Sequence, residues 1–198
     1  IAVPALVGLE QAKAEQAIKD AGFRIGEAKP ARFSEKTAGT VLAALDSSDK
    51  PLGKEYSERG AIKLILSAGP LPNVAEMPVD KAIATLEASR LKVDHTKKVE
   101  ENHDKVPKGH VIRIVTGEAV HVGDAVSLVV SKGPALIAVP NVVGMNMNQA
   151  IAKLAEVGLK GRTGVPQLLR NAVKVKNTTP APGSEVPKDT EIELGFEL

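Results

Sequence analysis

Apolar residues fall at helical spacing three times along this chain. Glu10 to Ala21 carries Ala14, Ala17, Ile18 and Ala21; Val79 to Ser89 carries Ala82, Ile83 and Leu86; Asn148 to Val157 carries Ala150, Ile151 and Leu154. Residues three and four apart share one face of an α-helix, so each stretch predicts an amphipathic helix. Gly22 and Gly158 supply stops for the first and third, while the second has no glycine there. Asp80, and either Asn146 or Asn148, have the side chains expected of N-caps. The pattern then changes to short extended segments. Phe23-Arg24-Ile25-Gly26, Val41-Leu42-Ala43-Ala44 and the alternating Ile62 to Leu66 predict three strands, with the turn Pro51-Leu52-Gly53 between the last two. A helix of about 12 residues is roughly 18 Å long, which suits one face of a small antiparallel sheet.

The same succession occurs three times. Val3-Pro4-Ala5-Leu6-Val7-Gly8, Leu71-Pro72-Asn73-Val74-Ala75-Glu76 and Val139-Pro140-Asn141-Val142-Val143-Gly144 open it, and Pro4, Pro72 and Pro140 are 68 residues apart each time. Ala14, Ala82 and Ala150 keep that register, as do Ile18, Leu86 and Leu154, and Phe23, Leu91 and Leu159. The closings also match: Ile62 to Pro70 resembles Val126 to Pro134, and the third ends on Ile192-Glu193-Leu194-Gly195-Phe196. A fixed period of this kind is the mark of a repeat array. The expected fold is α+β: three tandem small domains, 1–69, 70–134 and 135–198, each one helix packed on a three-stranded antiparallel sheet, arranged as an elongated array. The hairpin turns differ most, being Pro51-Leu52-Gly53, Thr116-Gly117 and Pro180-Ala181-Pro182-Gly183.

Composition narrows the chemistry. Units of about 65 residues lie near the lower size for independent folding, so each core is small. The aromatics are Phe23, Phe33, Tyr56 and Phe196, which leaves Val, Ile, Leu and Ala to fill the cores, and no cysteine is present for disulfides or thiolate metal sites. No run of 18 apolar residues occurs, so no spanning helix is expected. The net charge is +2, divided as +1, 0 and +1 over the three units (10 basic and 9 acidic, 9 and 9, 7 and 6). A low charge with few stacking aromatics argues against nucleic-acid binding. Ile1-Ala2-Val3-Pro4 recurs as the linker Ile137-Ala138-Val139-Pro140. The expectation is that the chain is cut from a longer parent just after such a linker.

The repeats resemble PASTA domains. The resemblance rests on the opening Val139 to Met145, the Ala/Leu helix, the Pro180-Ala181-Pro182-Gly183 turn and the closing Val126 to Pro134, and it covers essentially the whole chain. Glu76 stands where the pattern has Gly, the second unit lacks the Pro-x-Pro-Gly turn, and the first carries extra residues around Asp46-Ser47-Ser48-Asp49. The resemblance implies a non-catalytic array on the extracellular face of a bacterial membrane, as in transmembrane Ser/Thr protein kinases or the C-terminus of penicillin-binding proteins. It also implies peptidoglycan fragments or cell-wall precursors as partners, with β-lactams among the suggested ligands, and ligand-linked self-association as one route to signalling. A stalk with no ligand of its own is the mechanical alternative.

The residues themselves offer no catalytic constellation: no Gly-rich phosphate loop, no His-Glu-x-x-His, no Gly-x-Ser-x-Gly and no kinase signature, and no cofactor is expected. His95, His103, His110 and His121 all lie in the second unit at spacings of 8, 7 and 11, which lack the short separation of a metal site. The third unit is electrically polarised. Lys160, Arg162, Arg170, Lys174 and Lys176 fall in one stretch without an acid; Glu185, Asp189, Glu191, Glu193 and Glu197 follow. Arginine holds a carboxylate through two parallel hydrogen bonds. Arg162, Arg170 and Lys174 are therefore the candidate ligand contacts, against the alternative that opposite charges pair across wet sheet faces. Thr178-Thr179-Pro180 and Ser47-Ser48 read as turns or groove walls. Gly69-Pro70-Leu71-Pro72 is a short, stiff linker, whereas Leu136 and Ile137 in the longer second linker are apolar and expected to pack onto a neighbouring unit rather than flex. Units about 25–30 Å across would extend on the order of 80–100 Å in line.

Overall fold

The computed structural model describes residues 1–197. A helix, a short strand, a hairpin strand and a last strand follow each other three times, with one further strand in the second copy and two in the third. The first is α1 (Gln11–Asp20), β1 (Arg24–Ile25), β2 (Val41–Leu45) and β3 (Ala61–Leu66). The second is α2 (Val79–Ala88), β4 (Lys92–Val93), β5 (Val99–Glu101), β6 (Val111–Val115) and β7 (Ala125–Ser131). The third is β8 (Leu136–Ala138), α3 (Met147–Glu156), β9 (Lys160–Arg162), β10 (Val175–Thr179), β11 (Glu185–Pro187) and β12 (Glu191–Phe196). The chain packs as two compact units, Ile1–Glu100 with Gly109–Val130, and Glu101–Lys108 with the residues from Ser131 onward.

Each helix buries the stripe its sequence marks. Ala14, Ile18, Ala82, Leu86, Ala150 and Leu154 are all fully buried. The alanine lets the helix approach the sheet, and the larger residue one turn on fills the core; burying such a side chain contributes about 1.5–3 kcal/mol. The core clusters are separate and centre on Ile18 with Ile62, on Leu86 with Val126, and on Leu154 with Ile192.

The helix ends follow from local chemistry. Phe23, Leu91 and Leu159 donate their N–H groups to the Ile18, Leu86 and Leu154 carbonyls at 3.0, 3.1 and 2.9 Å. This closure requires a left-handed residue just before it. Gly22 and Gly158 take that conformation at φ 80° and 84°, and Arg90 takes it at 62° in the second repeat. At the start of α3, Asn146 Oδ1 accepts from the Gln149 N–H at 2.9 Å, so Asn146 is the cap. Asn148 instead donates its side-chain amide to Asn171. Asp80 is not a cap. Pro78 holds the cap position, and Asp80 lies in the first turn, where its charge suits the helix dipole.

The expected antiparallel sheet is corrected to a mixed one. The last strand of each repeat is central. The hairpin strands β2, β6 and β10 run antiparallel to β3, β7 and β12. The short strands after the helices, β1, β4 and β9, run parallel to them. Alternation reports which side chains share a face and is silent on strand direction. Residues 26–40 give the first repeat enough chain to turn back before β2. The register shifts once in each hairpin, at Val41/Ala43, Val111/Arg113 and Val175/Asn177. Leu136 and Ile137 form β8, which pairs with β11, and Ile137 packs on the third core.

Candidate functional site

The polarised face of the third repeat is set by the register of β9 on β12. Lys160 lies opposite Glu191, and Arg162 opposite Glu193. Exposed ion pairs result: Arg162 to Glu191 at 3.6 Å, Lys160 to Asp189 at 3.7 Å and Lys176 to Glu197 at 2.7 Å. Each contributes at most about 1 kcal/mol at such exposure. Cross-sheet pairing thus accounts for Lys160, Arg162 and Lys176.

Arg162 also borders an open groove of ≈ 520 Å³ with Thr163, Glu193 and Phe196. The groove combines a guanidinium, a hydroxyl, a carboxylate and an aromatic face, which suits a polar ligand bearing both donors and acceptors. Arg170 and Lys174 do not line this groove; they sit beside the start of α3. The Arg170 carbonyl accepts from the Met147 N–H at 2.9 Å, and its side-chain Nε donates to the Val165 carbonyl at 3.0 Å. Lys174 pairs through its backbone with Asn146 and projects an exposed side chain. The backbones of Arg170 and Lys174 thus border the helix entrance, away from the groove at Arg162, while the Arg170 guanidinium rests on the Val165 carbonyl.

Thr178 is a strand residue opposite Leu194, and its hydroxyl is buried without a partner. Ser47 belongs to a turn: its Oγ accepts from the Tyr56 hydroxyl at 3.1 Å, and Asp46 Oδ1 accepts from the Ser48 and Lys50 N–H groups. Among the described residues, no three His, Asp or Glu side chains converge as metal ligands. His103 Nδ1 accepts from the Val106 N–H, and His121 lies 3.5 Å from Asp124.

Two buried serines went unnoticed in sequence. Ser67 Oγ donates to the Lys36 carbonyl at 2.8 Å and accepts from Gly69 N–H at 3.0 Å. Ser131 Oγ does the same with the Val106 carbonyl and Gly133 N–H, at 2.6 and 2.9 Å. Their signal was the Ser-x-Gly-Pro closing itself, which recurs in the first two repeats.

Residues 70–132 and 137–197 each match the family model of the PASTA domain. The chain belongs to the PASTA family. The first repeat lies outside both matches, yet it shares their hydrogen-bond pattern: Gly8, Glu76 and Gly144 donate to the Val41, Val111 and Val175 carbonyls at 2.9, 2.7 and 2.9 Å. Relatives include a probable serine/threonine-protein kinase PknB of Corynebacterium glutamicum, 29% identical over 98% of this chain and 30% of the relative. A probable serine/threonine-protein kinase of Clostridium perfringens is 30% identical over 80% of this chain and 24% of its own length. This chain therefore spans less than a third of those relatives. Among solved structures, the three-PASTA-domain of a Ser/Thr kinase from Staphylococcus aureus is 18% identical, with a TM-score of 0.42 and 98% of both chains covered. The entire extracellular region of the Ser/Thr kinase PrkC from the same organism gives a TM-score of 0.44 at 18% identity, covering 98% of this chain and 70% of that one.

Proposed function

We propose that this PASTA array, with unit boundaries at 1–69, 70–134 and 135–198, is the extracellular sensor region of a bacterial membrane Ser/Thr protein kinase and binds peptidoglycan fragments. The supporting observation is the match to kinase relatives across 98% of the chain, in a portion that carries no kinase signature. No helix among the described residues is long and apolar enough to cross a membrane, so anchoring falls to the rest of the parent. In this reading the Arg162 groove takes a stem-peptide carboxylate, with Phe196 against the apolar part of the fragment. Arg170 and Lys174 offer a second cationic contact at the start of α3. Engagement of several weak sites on one strand of wall material raises avidity and gathers kinases together.

Amide NMR titration of the full chain with muropeptides tests this reading. Binding should move the Arg162, Thr163 and Phe196 resonances at millimolar ligand, and Arg162→Ala should weaken it by about tenfold, the loss expected for one charge-assisted contact. A flat titration across all three repeats would remove the sensor reading.

A mechanical spacer is the second reading, favoured by the cross-strand neutralisation of Arg162 by Glu191. Solution scattering separates the two: a spacer keeps one profile with and without muropeptide. A PASTA tail of a penicillin-binding protein remains the alternative parent, and the domain encoded upstream decides it.

A further inference from the structure

In the second repeat a cleft of ≈ 120 Å³ opens between α2 and the sheet, walled by Val79, Ile83, Val93, Leu128 and Val130. An apolar cavity of about 150 Å³ is enough to hold benzene, so this one takes a small aliphatic group. Asp94 and Lys98 stand at its rim with His95. Asp94 is ionised: hydrogen bonds from the Thr96 hydroxyl and then the Thr96 N–H hold its carboxyl below the ordinary 3.8. Both of those bonds, 2.6 and 2.9 Å, end on Oδ1, and the Lys97 N–H adds to the stabilisation of the carboxylate. Lys98 Nζ lies 3.0 Å from Glu100 in an exposed pair, which a ligand anion can share at little cost. The rim therefore carries Asp94, fixed by Thr96, and Lys98, paired with Glu100, above an apolar floor.

The other repeats lack this combination. At the same offset of 68, Gln11 and Glu15 replace Val79 and Ile83, and the corresponding gap of the first repeat is smaller, ≈ 70 Å³, with Glu15, Glu27 and Lys29 in its wall. Lys29 is also bonded to Asp49 at 2.8 Å. In the third repeat Gly161 stands where Val93 does, and even a Cβ there would lie 2.9 Å from Ile151 Cγ1. Helix and strand are in contact, and no room remains.

We propose that the cleft beside α2 binds a free aliphatic α-amino acid of valine size, its side chain against Ile83 and Val93, its ammonium at Asp94 and its carboxylate at Lys98. The zwitterion matches both rim charges, whereas a plain carboxylate would meet Asp94 and a plain amine would meet Lys98. This assignment is independent of the kinase-sensor reading and of the Arg162 groove.

Methyl and amide NMR of the full chain titrated with L-valine tests it, with 3-methylbutanoate and 2-methylpropan-1-amine as single-charge probes. Valine should shift the Val79, Ile83, Val93 and Val130 methyls with half-saturation on the order of 10 mM, and each single-charge probe should need about tenfold more. Asp94→Asn keeps an acceptor for Thr96 while removing the charge. It should weaken valine to the level of 3-methylbutanoate and leave the spectrum elsewhere unchanged. Ile83→Glu, which installs the residue of the first repeat, should abolish the shifts. Absence of shifts up to about 50 mM valine, equal response to all three probes, or unchanged valine binding in Asp94→Asn would each overturn the proposal.

Discussion

Phe33 donates its backbone N–H to the Val120 carbonyl at 2.8 Å, so a loop of the first repeat is hydrogen-bonded into the second. Ala31 accepts from the Val122 N–H at 2.8 Å, and the Phe33 ring packs on the core cluster around Leu86. Two backbone bonds and one ring make a staple that stands beside the Gly69-Pro70-Leu71-Pro72 linker. Phe33→Ala should lower stability by about 1–2 kcal/mol, less than a fully buried phenylalanine because the ring is half-exposed. Urea unfolding measures that loss. Faster hydrogen exchange at the Phe33 and Val122 amides, with the Leu154 region unchanged, would locate it.

Glu76 and Arg90 have φ of 64° and 62° where the third repeat has Gly144 and Gly158. A left-handed residue other than glycine costs about 1–2 kcal/mol, and glycine recovers part of that after its larger unfolded entropy is set against it. Glu76→Gly and Arg90→Gly should each stabilise the chain by about 0.5–1 kcal/mol. The reverse change, Gly144→Ala, should destabilise by a similar amount although open space surrounds the site. Shifts of the urea midpoint at constant slope decide all three.

The helices were legible because Ala14, Ile18 and their counterparts repeat at a spacing that only one face of a helix explains. The mixed sheet was not, since the direction of β1 against β3 leaves no trace in a two-residue strand. The staple was equally hidden: Phe33 is a lone aromatic in an aperiodic, proline-containing stretch, and its partners lie beyond the next helix. For the site, the signs of the charges were readable, but the register that sets Arg162 against Glu193 and moves Arg170 to the start of α3 was not. The cleft beside α2 had a signal in the replacement of Gln11 and Glu15 by Val79 and Ile83 at an offset of 68.

Ser67 and Ser131 are each nearly inaccessible, at 3% and 2%. Each hydroxyl joins a loop carbonyl to the N–H of a glycine two residues on, so removing it strands both partners, and at Ser67 it also removes the 2.9 Å contact with the Ser34 hydroxyl. Ser67→Ala or Ser131→Ala should cost about 1–3 kcal/mol, more than the net worth of an average hydrogen bond. Serine to threonine keeps the hydroxyl and separates bonding from volume in the same unfolding experiment.

Thr178 presents the opposite case. Its hydroxyl is buried and unpartnered on β10, so its desolvation is uncompensated. Thr178→Val replaces that oxygen by a methyl of similar size and should raise stability by up to about 1 kcal/mol. Calorimetry should show a higher midpoint with unchanged heat-capacity increment.

Asp49 Oδ1 accepts from Lys29 Nζ at 2.8 Å and from Lys63 Nζ at 2.9 Å. These bonds, Lys29 first, hold the carboxyl below its ordinary 3.8. A depressed folded-state value means that the unfolded chain binds the proton more readily. The contribution is therefore present above 3.8 and lost as the pH falls through the lower folded value. Wild type should be the more stable at pH 7 when compared with Asp49→Asn, and the two should converge on acidification. The site is solvent-accessible, so the gap should also narrow in about 1 M salt, where charges are screened within roughly 3 Å. Parallel curves from neutral to acid pH would show that the loop is held by the Asp46 side chain, through its Oδ1 bonds to the Ser48 and Lys50 N–H groups, and that the two lysines add nothing.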